Sequence, residues 1–168
     1  MKKKKDPNPK RKIRMAVVAG AIIIGIVIML NYNLDQAKIS GQSFGDSLAQ
    51  IQNDLKNETA NYDAKITLYQ NGNITKQDIL QISDAHIAVL IETLSKYNKI
   101  KPPEPFAPSL ELFRLSTQAQ LDSDKLLKQW IQTGDNSTKI RSDQLLGQSF
   151  YYETRALDSF NKAKTNSE

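Results

Sequence analysis

One short stretch of the sequence has the residue types and spacing of a catalytic nucleophile. Residues 41–45 read GQSFG, which matches the G-x-S-x-G pattern of serine hydrolases. A nucleophile elbow requires a β-strand before the serine and a helix after it, with a sheet that holds the turn. Here an apolar run and a polar linker precede the serine, and no window of the chain predicts a strand. We therefore interpret Ser43 as the N-cap of a helix.

The chain has a single histidine, His86, beside the apolar face of a predicted helix with Asp84 nearby. This position favours a hydrogen-bonding residue at the edge of the core, and the alternatives are a contact with a partner or a weak metal ligand. A di-iron bundle needs Glu-x-x-His on two helices, but residue 83 is serine and there is no second histidine.

Other cofactor sites lack their ligands as well. The chain has no cysteine, which removes thiolate ligands, disulfides and lipid attachment at a cysteine. Its three methionines, Met1, Met15 and Met29, lie in or before the apolar N-terminal run, so none could ligate haem within the predicted bundle. No phosphate-binding or dinucleotide-binding glycine motif occurs. We predict no catalytic residue, cofactor or metal, and hence a protein that is not an enzyme.

Four amphipathic stretches of about 25 residues make up most of the chain. They are separated by NGN at residues 71–73, by the proline-rich connector at 101–108 and by TGDNS at 133–137. Short turns join the first stretch to the second and the third to the fourth, which predicts antiparallel hairpins. The expected fold is all-α, an antiparallel up-down-up-down four-helix bundle over residues 43–163, with a disordered C-terminus at residues 164–168.

Capping residues predict where these helices begin and end. Thr75 and Asp78 have the spacing of a capping box. Gly134 is expected to cap the third helix at its C-terminus. Ser109 and Ser137 are the expected N-caps of the third and fourth helices.

Charge is concentrated at the N-terminus. Residues 1–14 hold eight Lys or Arg and one acid, which is a net charge of +7. The whole chain has 23 bases and 18 acids, so the remaining residues hold 15 bases and 17 acids. The predicted bundle is therefore mildly acidic. A nucleic-acid-binding domain normally carries its basic patch on the folded part, so nucleic acid is not an expected partner.

The segment after this basic tail has the length and composition of a membrane anchor. Residues 15–34 are all uncharged, and about 20 such residues suffice to cross a bilayer as a helix. The residues that define the anchor and its small-residue faces are Met15, Ala16, Gly20, Gly25, Leu30 and Tyr32. Two alternatives are a cleaved signal peptide, although no good cleavage site follows, and a buried soluble helix. Residues 35–42 would then be a linker.

The basic flank sets the expected orientation of this anchor. By the positive-inside rule, residues 1–14 stay in the cytoplasm and the bundle lies outside the cell membrane. The basic residues next to the span would also attract anionic headgroups of the bilayer. They are Lys10, Arg11, Lys12 and Arg14.

Three aromatic residues are candidates for a protein-binding surface. Phe106 lies in KPPEPFAP, a stiff connector that could dock on a partner, or else caps the end of the bundle. Tyr151 and Tyr152 follow Phe150, and three consecutive helical residues cannot all face a core. At least one tyrosine should be exposed, either as a contact or as a ring lying on the surface.

The second half of the chain, from KPPEPFAPS to the final helix, resembles small surface-anchored helical proteins of Gram-positive bacteria and archaea. The shared features are a Pro-Pro connector, a long helix, a Gly-containing turn and a last helix with aromatic and alanine positions. The resemblance covers roughly residues 80–164 and implies an anchored helical bundle without a specified activity. Gram-positive members are often lipoproteins, whereas this chain has no cysteine for the lipid.

Together these features predict a non-catalytic, membrane-anchored extracytoplasmic interaction protein. It would act as an accessory or scaffolding subunit of a membrane or cell-envelope complex, with other membrane or envelope proteins as partners. The alternative is a bundle that binds a ligand between its helices and acts through a partner. A polar cavity between the helices would favour the alternative, and a large exposed apolar patch would favour the first function.

Overall fold

A computed structural model describes residues 39–165, with side chains from residue 43 onward, and this part of the chain is an all-helical bundle. Its elements are α1 (Ile39–Gln70), α2 (Lys76–Tyr97), a 3-10 turn (Glu104–Phe106), α3 (Ala107–Thr133) and α4 (Asn136–Thr165). The predicted all-α bundle is confirmed for these residues. None of the described helices is long and apolar enough to cross a membrane. The predicted anchor at 15–34 and the basic tail at 1–14 lie outside the described residues.

Consecutive helices pack side by side in antiparallel directions. The side-chain hydrogen bonds across each seam pair early residues of one helix with late residues of the next. Across α1 and α2 the pairs are Gln52–Tyr97 and Tyr62–Ser83. Across α2 and α3 they are Tyr97–Thr117 and His86–Asp124. Across α3 and α4 they are Ser116–Ser149 and Ser123–Ser142. Each seam is therefore antiparallel, as predicted for the two hairpins that have short turns.

The first helix begins earlier than its sequence pattern indicates. α1 begins at Ile39, so GQSFG is helical and the expected role of Ser43 as N-cap is wrong. The Ser43 carbonyl accepts a hydrogen bond from the Ser47 hydroxyl at 2.7 Å, as is usual inside a helix. Gly41 and Gly45 lie in the same helix, which tolerates them at a modest cost in stability.

Two of the predicted caps are confirmed. The Thr75 hydroxyl accepts from the Asp78 amide at 3.1 Å, and the Asp78 carboxylate accepts from the Thr75 amide at 2.9 Å, which is a complete capping box. Gly134 has φ 76° and donates its amide to the Trp130 carbonyl at 2.8 Å. A left-handed residue at this position ends α3 without the steric cost of a Cβ atom.

The other two caps lie elsewhere. α3 begins at Ala107 with Pro108 in its first turn, so Ser109 is already inside the helix, where its hydroxyl donates to the Phe106 carbonyl. Proline suits a first helical turn because the N–H groups there have no partner within the helix, so the N–H that proline lacks is not needed. The connector before α3 is therefore shorter than expected.

Asp135, rather than Ser137, caps the last helix. Its carboxylate accepts from both the amide and the hydroxyl of Ser137, each at 2.8 Å. At the other end α4 continues through Lys164 to Thr165, two residues that were expected to be disordered, while residues 166–168 lie outside the described part.

Apolar side chains concentrate at the two ends of the bundle. One end cluster is built around Phe44, Phe106, Phe113 and Phe160, and the other around Tyr62, Ile79 and Ile131. A third, smaller apolar cluster contains three buried leucines, Leu55, Leu90 and Leu121. The middle of the core therefore holds polar side chains, which are buried at low cost only if they are hydrogen-bonded.

Small residues recur every seven positions where α3 faces α4. The positions are Ser109, Ser116 and Ser123 on α3 and Ser142, Ser149, Ala156 and Ala163 on α4, and all of them are buried. The Ser116 hydroxyl donates to the Ser149 carbonyl at 3.0 Å, and the Ser123 hydroxyl donates to the Ser142 carbonyl at 2.8 Å. A hydroxyl that reaches the backbone of the next helix requires the two helices to be unusually close, which only small residues allow.

Replacing Ala156 by leucine should force this close seam apart. Ala156 is fully buried, so a larger side chain must displace α3 and overpack the core. We expect the free energy of unfolding to fall by about 1–3 kcal/mol, measured by urea denaturation. The matched control is Ala88→Leu, at an exposed helical position on α2, which should change stability by less than about 0.5 kcal/mol. Equal effects of the two substitutions would contradict a packing constraint at this seam.

Candidate functional site: two polar groups in the bundle core

The polar side chains in the middle of the core form two neighbouring groups. The histidine cluster consists of Glu58 and Tyr62 from α1, His86 from α2 and Asp124 from α3. The glutamate cavity is a space of about 10 Å³ between α1, α3 and α4. It is lined by Gln52, Leu55, Phe113, Ser116, Thr117, Gln120 and Glu153.

His86 lies at the centre of the first group with both ring nitrogens facing carboxylates. Its Nδ1 is 3.0 Å from the nearer Glu58 carboxylate oxygen, and its Nε2 is 3.1 Å from that of Asp124. The imidazole stacks on the Tyr62 ring, with centroids 4.0 Å apart and planes within 9°. A neutral imidazole has only one N–H, so both contacts are hydrogen bonds only when the ring is a cation or when one of the two carboxyl groups carries the proton.

The surroundings of His86 favour that cation. Burial lowers the pKa of His86, but the hydrogen bonds and negative charges of Asp124 and Glu58 raise it by more, so the pKa lies above its usual value. Burial raises the pKa of Asp124, although His86 opposes this. Burial and the negative charge of Asp124 raise the pKa of Asp63 to about 6. The folded histidine cluster and the neighbouring Asp63 therefore bind protons more tightly than the same groups do in the unfolded chain.

This geometry makes the histidine cluster a poor surface contact or metal site. His86 is only 1% exposed, so it cannot touch a partner on the outer surface, and that suggested role is wrong for this fold. Both ring nitrogens already face carboxylates, which leaves no free nitrogen for a metal or for proton abstraction. The described residues contain no group of three or more ligands placed to hold a metal ion. Asp84 instead pairs with Lys128 of α3.

The second group contains a buried carboxylate without a basic partner. Glu153 is 7% exposed and forms no ion pair within the described part of the chain. Burial raises the pKa of Glu153 to about 7. Nearby, the Gln52 amide donates to the Tyr97 hydroxyl at 2.6 Å, and the Gln120 amide donates to the Thr59 hydroxyl at 2.9 Å. The cavity is thus bordered by neutral polar groups, the apolar side chains of Leu55 and Phe113, and one acid.

Phe106 does not form an interaction surface. It is buried and packs between Phe44 and Phe160, with ring centroids 5.8 Å and 5.0 Å away. The 3-10 turn directs the ring into the bundle, where its apolar surface is removed from water. Of its two suggested roles, capping the end of the bundle is the one observed, and docking on a partner is wrong for this conformation.

The two tyrosines of α4 lie on the outer surface, as expected for at least one of them. Tyr151 is 62% exposed, whereas Tyr152 is partly buried and accepts a hydrogen bond from the Gln148 amide at 3.1 Å. Their rings lie 5.9 Å apart. The other large hydrophobic residues exposed in the described part are Ile91 on α2 and Ile140 near the start of α4.

An open groove of about 470 Å³ lies at the end of the bundle where α1 begins. Pro105, Pro108, Leu112 and Ala163 form its apolar part. Arg155 and Lys162 lie along its wall and form no ion pair within residues 43–165. Asp158 is the acidic residue of the lining. The lining of the groove is therefore partly apolar and carries two basic residues and one acid.

Three important acids, Glu58, Asp124 and Glu153, were not identified from the sequence. A signal for two of them was present. Asp124 lies three residues after Leu121 and seven before Ile131, and Glu153 lies three before Ala156 and seven before Phe160. Acids at these intervals lie on the apolar, buried face of a helix, where charged residues are not expected.

No protein-family model matches the chain, and comparisons with curated proteins and with solved structures find no match. The resemblance to surface-anchored helical proteins stays a prediction.

Proposed function

We propose that this chain is a non-catalytic, membrane-tethered protein whose helical bundle lies outside the cell membrane and binds other membrane or envelope proteins as an accessory or scaffolding subunit. The observation that carries this proposal is the exposed ring of Tyr151 on α4, next to the partly buried Tyr152. Tyrosine is enriched at protein interfaces because it combines a large apolar ring with a hydroxyl. Tyr151 presents most of its ring to solvent beside Tyr152.

The tether rests on the N-terminal sequence. The uncharged run ends at Leu34 and α1 begins five residues later at Ile39, so a membrane helix would hold the bundle close to the lipid. The groove with Arg155 and Lys162 lies at that same end of the bundle, so the two cations would lie near the membrane surface. The basic tail favours a cytoplasmic N-terminus and a bundle on the opposite side.

Photo-crosslinking from position 151 tests the proposed surface. We expect a residue-151 crosslinker in native membranes to capture a membrane or envelope protein, and Tyr152→Ala to weaken the capture at least threefold. The control is a crosslinker at Ile91, which is similarly exposed on α2 and should not capture the same protein. Crosslinks to lipid alone, or equal capture from both positions, would refute the α4 surface. Recovery of the full chain with its basic N-terminus in the soluble fraction would refute the tether.

The second candidate function is ligand binding between the helices. The glutamate cavity favours it, because a buried acid beside amides and hydroxyls is the kind of site that fixes a small polar ligand. The cavity of about 10 Å³ accepts an occupant the size of one water molecule, so an organic ligand would need the helices to move.

A further inference from the structure

We propose that Asn73, in the turn between α1 and α2, is a site of N-linked glycosylation that takes its sugar from a lipid-linked oligosaccharide. The chain contains three Asn-x-Thr motifs, which begin at Asn57, Asn73 and Asn136, and this motif is the acceptor in such a transfer. The inference rests on the proposed function for the location of the bundle outside the cell membrane.

The exposure of the threonine distinguishes the Asn73 motif from the other two. All three asparagines are exposed, but Thr59 is only 6% exposed and Thr138 only 5%. Thr75, the third residue of the Asn73 motif, is exposed. The motif requires both the asparagine and the hydroxyl residue, so an enzyme that acts on the folded bundle must reach both side chains. Of the three motifs, the one at Asn73 meets this condition.

The two buried threonines are also engaged inside the bundle. The Thr59 hydroxyl accepts a hydrogen bond from the Gln120 amide of α3 at 2.9 Å. The Thr138 hydroxyl donates to the Asp135 carbonyl at 2.7 Å in the first turn of α4. An enzyme could therefore reach either hydroxyl only after part of a helix had moved or unwound, which costs free energy.

The backbone around Asn73 holds the motif outside the two helices. Gly72 has φ 75°, a left-handed conformation directly after the end of α1. The backbone N–H of Asn73 donates to the Leu68 carbonyl at 2.9 Å, which fixes the turn while the side chain stays exposed. The Thr75 hydroxyl is hydrogen-bonded to Asp78, which is itself exposed, so water or an enzyme can replace that contact.

The transfer forms one bond and breaks one. The side-chain nitrogen of Asn73 bonds to the anomeric carbon of the first sugar, and the bond from that carbon to the phosphate oxygen of the lipid donor breaks. The lipid keeps the phosphate with the electron pair of the broken bond, and the amide nitrogen loses one proton. Nothing is oxidised or reduced, so the chain supplies only the acceptor and a separate transferase supplies the catalysis.

Peptide mass spectrometry of the full chain, purified from its native membranes, tests the site. Cleavage after lysine places the three motifs on three peptides, residues 57–65, 66–76 and 129–139. We expect a sugar mass on peptide 66–76, with an occupancy about tenfold or more above that of the other two, because their threonines are buried. An unmodified peptide 66–76 would overturn the proposal, and so would equal occupancy of all three peptides.

Two variants identify the asparagine that carries the sugar. Asn73→Gln should remove the sugar mass from peptide 66–76, because the motif is lost. Asn71→Gln is the matched control, since Asn71 is exposed in the same turn but does not begin a motif, and it should keep the sugar mass. A sugar mass that persists in Asn73→Gln, or one that is lost in Asn71→Gln, would overturn the proposal.

Protease added to intact cells tests the location of the bundle independently. If the protease cleaves the bundle while Asn73 is unmodified, the location outside the membrane stands and the glycosylation is refuted. If the bundle is cleaved only after lysis, the outside location is refuted, and glycosylation of Asn73 is refuted with it. Neither result depends on capture from position 151, so the binding surface on α4 fails or stands separately.

Discussion

Replacing His86 by leucine is expected to lower the free energy of unfolding by about 3–5 kcal/mol, because it removes the only cation between two acids. Asp124 is buried and would lose its hydrogen-bond partner, while the Glu58 side chain is 27% exposed and can turn towards water. Most of the loss should therefore come from Asp124. Urea denaturation monitored by circular dichroism measures the effect.

A double variant distinguishes the cost of leaving Asp124 without a partner from a change in packing at position 86. His86→Leu combined with Asp124→Leu removes the unpaired acid as well, and apolar replacement of a whole buried ion pair is often neutral or stabilising. We expect the double variant to recover most of the lost stability. Asp84→Ala is the matched control, because it breaks an exposed pair between the same two helices and should cost less than about 1 kcal/mol. A double variant no more stable than His86→Leu would contradict this account.

The bundle is also expected to become more stable as the pH falls from about 8 to about 5. The pKa of Glu153 is about 7 and that of Asp63 about 6 in the fold, both above their unfolded values, and the pKa of His86 is raised as well. Each group therefore binds protons more tightly in the folded state. Folding is favoured wherever the folded state holds more protons.

The pH window of each contribution follows from the direction of its shift. The contribution of His86 is fully present below its unfolded pKa and is lost as the pH rises through the folded value. Ionisation of Glu153 destabilises the fold as the pH rises from 4.5 to about 7, where the cost reaches about 3 kcal/mol for two to three pKa units. Asp63 acts in the same direction between 3.8 and about 6.

Glu153→Gln is the variant that tests this prediction. This variant should be more stable than the parent at about pH 8, and its stability should depend less on pH between about pH 5 and pH 8. Both effects are measured as the midpoint of urea unfolding in choline buffers. Asp78 and Asp135 have lowered pKa values from their capping hydrogen bonds, so they stay ionised throughout this range and do not interfere. A midpoint that rises with pH in the parent protein would contradict the shifts of all three groups.

Local sequence signals account for most of the helical pattern. The four apolar stripes, the capping box of Thr75 and Asp78 and the left-handed Gly134 were all predictable, because each depends on residues within one or two turns. The start of α1 was not predictable in this way. Ser43 has the properties of an N-cap, yet α1 continues to Ile39 because nothing in GQSFG stops a helix, and glycine only weakens one.

The sequence by itself determined an all-helical chain with an uncharged N-terminal run and a single histidine near a helix face. Only the tertiary structure decided the partners of that histidine, since Glu58 and Asp124 lie 28 and 38 residues away and meet it through the register of three helices. The same register places Gln52, Gln120 and Glu153 around one cavity. Helical periodicity is a property of neighbouring residues, whereas the register between helices follows from how complete helices pack. Between α3 and α4 the small residues set how closely the two helices approach.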